Sequence, residues 1–121
     1  MEKHTLRKQI NNKGLYVSLT YQLNYNEEKP SNLIFSYEAH KLWETPCKLG
    51  AMIFFDYFSR KFKGELNVKI IELDWLPVDT NNLIVLFATI EGLSELLGFK
   101  IEKLELDLIN ESFVFPEQRT L

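Results

Sequence analysis

The sequence predicts an α+β fold, a small sheet of about four strands in the order β-β-α-β-α-β with two helices packed on one face. Three observations predict it. Apolar residues recur with a period of two from residue 15 to 25, and a helical period takes over in two separate stretches after residue 45. The chain of 121 residues, 45% of them hydrophobic, is also long enough to bury one self-sufficient core.

The first expected strand is Leu15, Val17, Leu19, Tyr21, Leu23 and Tyr25, interleaved with Tyr16, Ser18, Thr20, Gln22 and Asn24, so one face lies on a core and the other is wetter. A polar stretch from Asn26 to Ser31 contains Pro30. Leu33, Phe35, Tyr37 and Ala39 then alternate again, which predicts an antiparallel hairpin. Thr45-Pro46 opens the first helix, because Thr45 can cap it and a proline in the first turn lacks an N–H that would be unpaired anyway. Cys47, Ala51, Phe54, Phe55, Phe58 and Phe62 make a single apolar stripe opposite Lys48, Asp56, Ser59, Arg60 and Lys63. That helix is expected over about 46–63, ending near Gly64.

A third strand is expected over 66–75. Leu66, Val68 and Ile70 keep one phase and Ile71, Leu73 and Trp75 the other, so either both faces are covered or a bulge switches the phase. The second helix, 81–97, enters through Asp79-Thr80-Asn81, any of which can cap, and stops at Gly98. Its expected buried stripe is Leu83, Leu86, Phe87, Ile90, Leu93 and Leu97, with Val85, Ala88 and Gly92 as a face of small side chains on which another backbone can come close. Ile101, Leu104, Leu106 and Leu108 suggest the last strand, extended by Phe113-Val114-Phe115. Residues 13–116 thus form a single domain, preceded by a flexible basic N-terminal segment, 1–12, and followed by a polar tail, 117–121.

Composition excludes several classes. One cysteine and two histidines cannot make a disulfide framework or a zinc site of four Cys and His ligands. A net charge of -3 disfavours general nucleic-acid binding, yet it conceals local surpluses. Residues 1–13 set Lys3, Arg7, Lys8 and Lys13 against Glu2, residues 46–64 set Lys48, Arg60, Lys61 and Lys63 against Asp56, and 83–121 are acidic. The polar N-terminus has no secretory apolar stretch and no run approaches the ~20 residues of a membrane span. The expected setting is cytoplasmic, without a membrane partner.

The five glycines, at 14, 50, 64, 92 and 98, are isolated, so no phosphate-binding Gly-rich loop is present. Neither a Gly-x-Ser-x-Gly elbow nor a His-Glu-x-x-His pair occurs. No cofactor and no metal ligand set is expected. Cys47, in the first turn of a helix beside Lys48 and within reach of a base at His40, is the one candidate nucleophile. Its bland reading is a small apolar residue of the Phe stripe. The carboxylates at Glu27-Glu28 and at Glu102, Glu105 and Asp107 read as solvated surface.

One constellation stands apart. If the second strand, first helix and third strand form a crossover unit, those two strands are parallel and their C-terminal ends meet at one edge. Leu42-Trp43-Glu44 then lies near Asp74-Trp75-Leu76-Pro77, beside the N-termini of both helices. Loops at that end of α/β units are the usual place for binding sites, and tryptophan is enriched in interface hot spots. The candidate contact residues are Trp43, Glu44, Trp75, Leu76 and Asp79, with Arg60, Lys61, Lys63 and the N-terminal basic segment as secondary contacts. The competing reading has both indoles folding back to plug the core.

Several residues resemble domain IV of translation elongation factor G. Val78-Asp79-Thr80-Asn81 followed by Leu83, Val85, Phe87 and Ala88 is similar to the family's Val-Asp-Ser-Ser segment and the helix after it, and Asn67-Val68-Lys69-Ile70-Ile71 to its Asp-Val-Lys-Val-Thr strand. Pro46 and Gly50 match a Pro and a Gly of the family's preceding helix, and Lys13-Gly14-Leu15-Tyr16 echoes its Gly-Gln-Tyr-Gly entry. The resemblance covers about residues 13–109 and implies a left-handed crossover and a functional tip that reaches ribosomal RNA. At that tip the chain departs, with His40-Lys41-Leu42-Trp43-Glu44-Thr45 in place of a Gly-Gly loop and Leu76-Pro77 in place of a His. The expected function is a non-catalytic interaction module binding a protein, a second copy of itself or a ribosome-associated RNA through the Trp-containing tip. The alternative is a small enzyme or ligand binder with a pocket at the same tip near Cys47 and His40.

Overall fold

The computed structural model describes residues 1–10, 13–101, 105–107 and 112–114. The main sheet has four strands, β1 (Glu2–Ile10), β2 (Lys13–Asn26), β3 (Asn32–Tyr37) and β4 (Glu65–Trp75), in the order β1-β2-β4-β3. Helices α1 (Glu44–Phe58) and α2 (Asn82–Leu97) pack against each other and against the sheet. The architecture is therefore α+β with the expected succession of strands and helices from residue 13 to 97.

Membership of the sheet differs from the expectation at both ends of the chain. The N-terminal segment, expected to be flexible, is a strand paired with β2 from Glu2↔Tyr21 to Ile10↔Lys13. Its polar sequence hid it because an edge strand needs little apolar surface: Leu6 is fully buried, and His4 lies beside it on the same face. Near the C-terminus, β5 (Glu105–Asp107) and β6 (Ser112–Val114) form a separate two-stranded antiparallel sheet. Leu104, Leu108, Phe115 and the tail at 117–121 lie outside the described residues.

The expected hairpin is also interrupted, because β4 lies between β2 and β3, antiparallel to the first and parallel to the second. The two central strands, β2 and β4, supply most of the sheet's fully buried positions, Val17, Leu19 and Tyr21 from one and Leu66, Val68 and Ile70 from the other. The connection from Asn26 to Asn32 easily spans the ~10 Å between alternate strands. The parallel β3–α1–β4 crossover is present as expected. The double phase in β4 comes from a bulge: Thr20 pairs with Glu72 and Tyr21 with Ile70, so Ile71 is the extra residue. Leu66, Val68, Ile70 and Leu73 thereby all point into the core.

α1 is shorter at its C-terminus than its stripe suggested. It ends at Phe58, and turn bonds such as Phe62 N–H to the Phe58 carbonyl, 2.9 Å, carry the chain away. Phe62 is left 42% exposed, stacked on Phe58 at 5.0 Å. At the other end, a short 3₁₀ turn over Lys41–Trp43 precedes the helix, whose cap position is Trp43 and not Thr45. In α2, Asn81 is the cap, its Oδ1 accepting Ile84 N–H at 2.9 Å, and Gly98 terminates the helix at φ +66°.

α2 is rotated relative to its expected stripe. Ile84, Val85, Ala88, Thr89, Ile90, Gly92 and Leu93 are buried, while Leu83, Leu86, Phe87 and Leu97 are only half-buried. The helix is apolar on nearly every side, so periodicity could not fix its facing. Close approach did: a Cβ at Gly50 of α1 would lie 2.9 Å from Thr89 Cβ, and one at Gly92 would lie 2.5 Å from Tyr21 Oη.

An ion-pair clamp fixes β1 on α2. His4 Nε2 is 2.9 Å from Glu91 Oε1 and His4 Nδ1 is 2.7 Å from Glu95 Oε2. Two carboxylate acceptors require both ring nitrogens to be protonated. The hydrogen bond to Glu91 raises the imidazole pKa above its ordinary 6.5 despite partial burial, and the same bond lowers that of Glu91. A raised basic pKa stabilises the fold fully below pH 6.5, and that contribution is lost as pH rises through the folded value. The lowered Glu91 value adds stability above about pH 4.5 that is lost as pH falls through its own folded value. Unfolding free energy should therefore decline above pH 6.5 by about 1 kcal/mol, kept small by the exposure of Glu95. Chemical denaturation at pH 6 and pH 9 should show this for the native chain and not for His4→Gln; equal slopes would reject the clamp.

Candidate functional site

The ends of β3 and β4, the start of β2 and the N-termini of both helices meet at one end of the molecule. There the structure brings the two tryptophans together, with ring centroids 6.1 Å apart and planes at 68°. His40 lies over Trp75 on another side, 4.8 Å away. His40 is itself fixed, because its Nδ1 accepts Leu42 N–H at 3.1 Å and its carbonyl accepts from the Tyr37 hydroxyl. The result is a rigid aromatic platform under the 3₁₀ turn.

The tryptophans play unequal parts. Trp43 is 7% exposed and belongs to the core, so the plug role holds for it, and its indole N–H has no acceptor among the described residues. Trp75 is half-buried. The exposed apolar groups at this end are instead Leu42 at 58%, Leu49 at 45%, Leu76 at 45% and Val78 at 89%. Glu44 is exposed. Asp79 is half-buried with its carboxylate against Gly14, and its carbonyl accepts Tyr16 N–H at 2.9 Å. Thr80 Oγ1 accepts Leu76 N–H at 3.0 Å and donates to the Tyr16 carbonyl, so the loop from 76 to 80 is anchored to β2 while Val78 projects.

Two clefts flank the platform. A groove of about 420 Å³ between the helix N-termini is lined by Leu42, Thr45, Pro46, Leu49, Leu83 and Leu86, with Asn82 at its edge. A smaller one, about 280 Å³, has Arg7, Lys8, Tyr16, Leu76 and Asp79 among its lining residues. Sequence reasoning missed the groove. The available signal was Leu42 and Leu49, two leucines that fall off the Cys47–Phe58 stripe and so had no core to join.

The secondary basic contacts divide. Arg60, Lys61 and Lys63 follow the C-terminus of α1, at the far end of a sheet whose central strand is roughly 30 Å long. Arg60 is committed locally, to Asp56 at 2.9 Å and over the Tyr57 ring at 4.5 Å. The N-terminal basic residues do border the tip: Arg7 lies over Tyr16 at 4.8 Å. Cys47 faces neither cleft. It is fully buried, and burial pushes its thiol up to about 12, against a small lowering by a hydrogen bond with Thr89. It is thus protonated at neutral pH and unavailable as a nucleophile. His40, Cys47 and Asp79 are not gathered in either cleft.

No family model matches the chain, and no curated protein matches it. Among solved structures it is similar to a crystal structure of a protein from Thermus thermophilus, with a TM-score of 0.58 and 12% sequence identity. The alignment covers 78% of this chain and 15% of that one, so the chain spans about 15% of the length of the protein it matches. At that identity the likeness concerns the fold alone. No helix among the described residues is long and apolar enough to cross a membrane.

Proposed function

We propose that this protein is a non-catalytic interaction module whose contact surface is the tip, and that its partner is a protein. The observation that carries this reading is the concentration of exposed apolar side chains, Leu42, Leu49, Leu76 and Val78, on loops and helix ends held in place by Thr80, His40 and the indole pair. Exposed apolar groups around a groove on a rigid frame are what a protein interface needs, because the free chain has already lost the entropy that docking would otherwise remove. The contact set is then Leu42, Glu44, Leu76 and Val78 with Trp75 beneath them, while Trp43 holds the platform. The resemblance to domain IV of elongation factor G supports the same end of the fold as the working surface and suggests a ribosome-associated partner.

A ribosome-associated RNA is the second reading, favoured by Arg7 and Lys8 beside Leu76 and by the stacking of Arg7 on Tyr16. Capture from cell extract by the native chain and by Leu42→Asp with Val78→Asp tests the proposal. Both positions are exposed, so the variant should keep its melting temperature and lose the partners that the native chain retains. Identical partner lists would reject the tip. Retention that falls steeply with salt, and that ribonuclease abolishes, would replace the protein partner with RNA.

A further inference from the structure

The sequence treats the two outer edges of the sheet differently. β1 bears Glu2, Lys3, Arg7 and Lys8, charges that discourage another strand from pairing along it. β3, at the opposite edge, reads Asn-Leu-Ile-Phe-Ser-Tyr, with no charge, no proline and a regular register. Nothing within that strand guards its edge.

Which backbone groups point outward follows from the parallel ladder. Asn32 N–H donates to the Gly64 carbonyl at 3.3 Å and Glu38 N–H to the Ile70 carbonyl at 2.8 Å. The even-numbered residues of β3 therefore turn their N–H and C=O groups towards β4. Leu33, Phe35 and Tyr37 turn theirs away from the sheet, and no strand lies beyond them among the described residues. Their side chains lean on the core, whereas Ile34 and Ser36 are exposed on the other face. The open edge is thus a row of donors and acceptors centred on Phe35.

We infer that this edge pairs with the same edge of a second copy of the chain, antiparallel, about a two-fold axis at Phe35, making one continuous sheet across both copies. The outward groups fit this register and no partner needs to be adapted. Phe35 faces its own counterpart and Leu33 faces the second copy's Tyr37, each pair exchanging both N–H···O=C bonds, so every outward-facing group is satisfied. On the other face Ile34 meets Ser36 and Asn32 meets Glu38, so no like charges are opposed. Ile34, 40% exposed in the single chain, becomes covered. The contact is isologous and closes at two copies, and the charged β1 edges do not extend it into a filament. One strand pair is smaller than a standard interface, so the dimer is weak and concentration-dependent.

Sedimentation equilibrium across a wide concentration range, joined to residue-resolved amide exchange, tests this on the native chain and on Ile34→Lys with Ser36→Lys. In the two-fold register each introduced lysine at 34 faces one at 36, which should weaken association roughly tenfold. Both positions are exposed, and the lysine at 36 meets Lys69 of the same chain on the outer face, so the melting temperature of the dilute chain should fall by no more than a few degrees. In the native chain, exchange at Leu33, Phe35 and Tyr37 should slow as concentration rises, while Ile34 and Ser36 are protected throughout. A chain that stays monomeric, or outward amides whose exchange ignores concentration, overturns the inference. So does a dimer that the two lysines leave equally strong, since its interface would lie elsewhere.

Discussion

Gly64→Ala should lower the unfolding free energy by about 3–5 kcal/mol. Gly64 has φ +141°, a backbone conformation that side chains rarely adopt. A Cβ there would also lie 2.6 Å from the Asn26 carbonyl oxygen and 2.7 Å from Glu27 Cα, both backbone atoms with no rotamer to escape into. The position joins three strands: its N–H donates to Ser31 Oγ, its carbonyl accepts Asn32 N–H, and the preceding Lys63 carbonyl accepts from the Tyr25 hydroxyl. Relief of the clash would therefore pull the end of β2 away from the starts of β3 and β4. Gly98→Ala is the control. Gly98 also has a positive φ, +66°, but nothing lies within 4 Å of where its Cβ would be, so strain alone applies at about 1 kcal/mol. Denaturant unfolding of both variants separates strain from crowding. Equal losses at the two sites would show that the crowding at Gly64 is not real.

The same glycine shows how far the sequence can be read. It follows an apolar stripe that continues to Phe62 and so resembles the stop of α1, yet the helix ends at Phe58 and Gly64 serves the sheet. Periodicity reports which residues seek apolar company and not whether a helix carries them there, and Phe62 reaches Phe58 and Phe99 from a turn. The strong alternation of β2 and the parallel crossover were legible because each is a local pattern with one solution. β1 was not, since it is held by backbone pairing with β2, one buried leucine and the His4 pairs to α2, none of which makes an apolar periodicity. The insertion of β4 between β2 and β3 is a long-range choice that no local pattern of the sequence carries.

At the tip, topology alone brings Trp43 and Trp75 together, since the ends of parallel strands must meet. What it cannot show is which of them faces water. Burial depends on the 3₁₀ turn before α1, and that turn depends on His40 capping Leu42. Nothing in their residue type distinguishes the exposed contact groups Leu42 and Val78 from the aliphatic residues of the core. Their exposure comes from loop anchoring by Thr80 and His40, a three-dimensional property.

Gly92→Ala should cost about 2–3 kcal/mol, reversing the usual gain of up to about 1 kcal/mol when alanine replaces glycine inside a helix. The reason is Tyr21, which is fully buried with its hydroxyl 3.3 Å from the Ala88 carbonyl oxygen and 3.2 Å from that of Thr89. A Cβ at position 92 would lie 2.5 Å from Tyr21 Oη and 2.9 Å from Cε2 and Cζ. The ring cannot retreat, because it stands on β2 at the centre of the core, where β4 pairs with its backbone at Ile70. Either α2 moves off the sheet, taking Gly50 and α1 with it, or the hydroxyl gives up both carbonyls. Tyr21→Phe alone should cost about 1 kcal/mol, since those carbonyls also serve the helix. In the double variant the nearest contact disappears and the ring-carbon contacts remain. Its loss should fall short of the sum of the single losses by about 1 kcal/mol, a coupling that a double-mutant cycle by denaturant unfolding resolves. Strict additivity would mean that the hydroxyl does not set the helix-to-sheet distance. An alanine at 92 that stabilises the protein would mean that α2 stands further from β2 than this close contact requires.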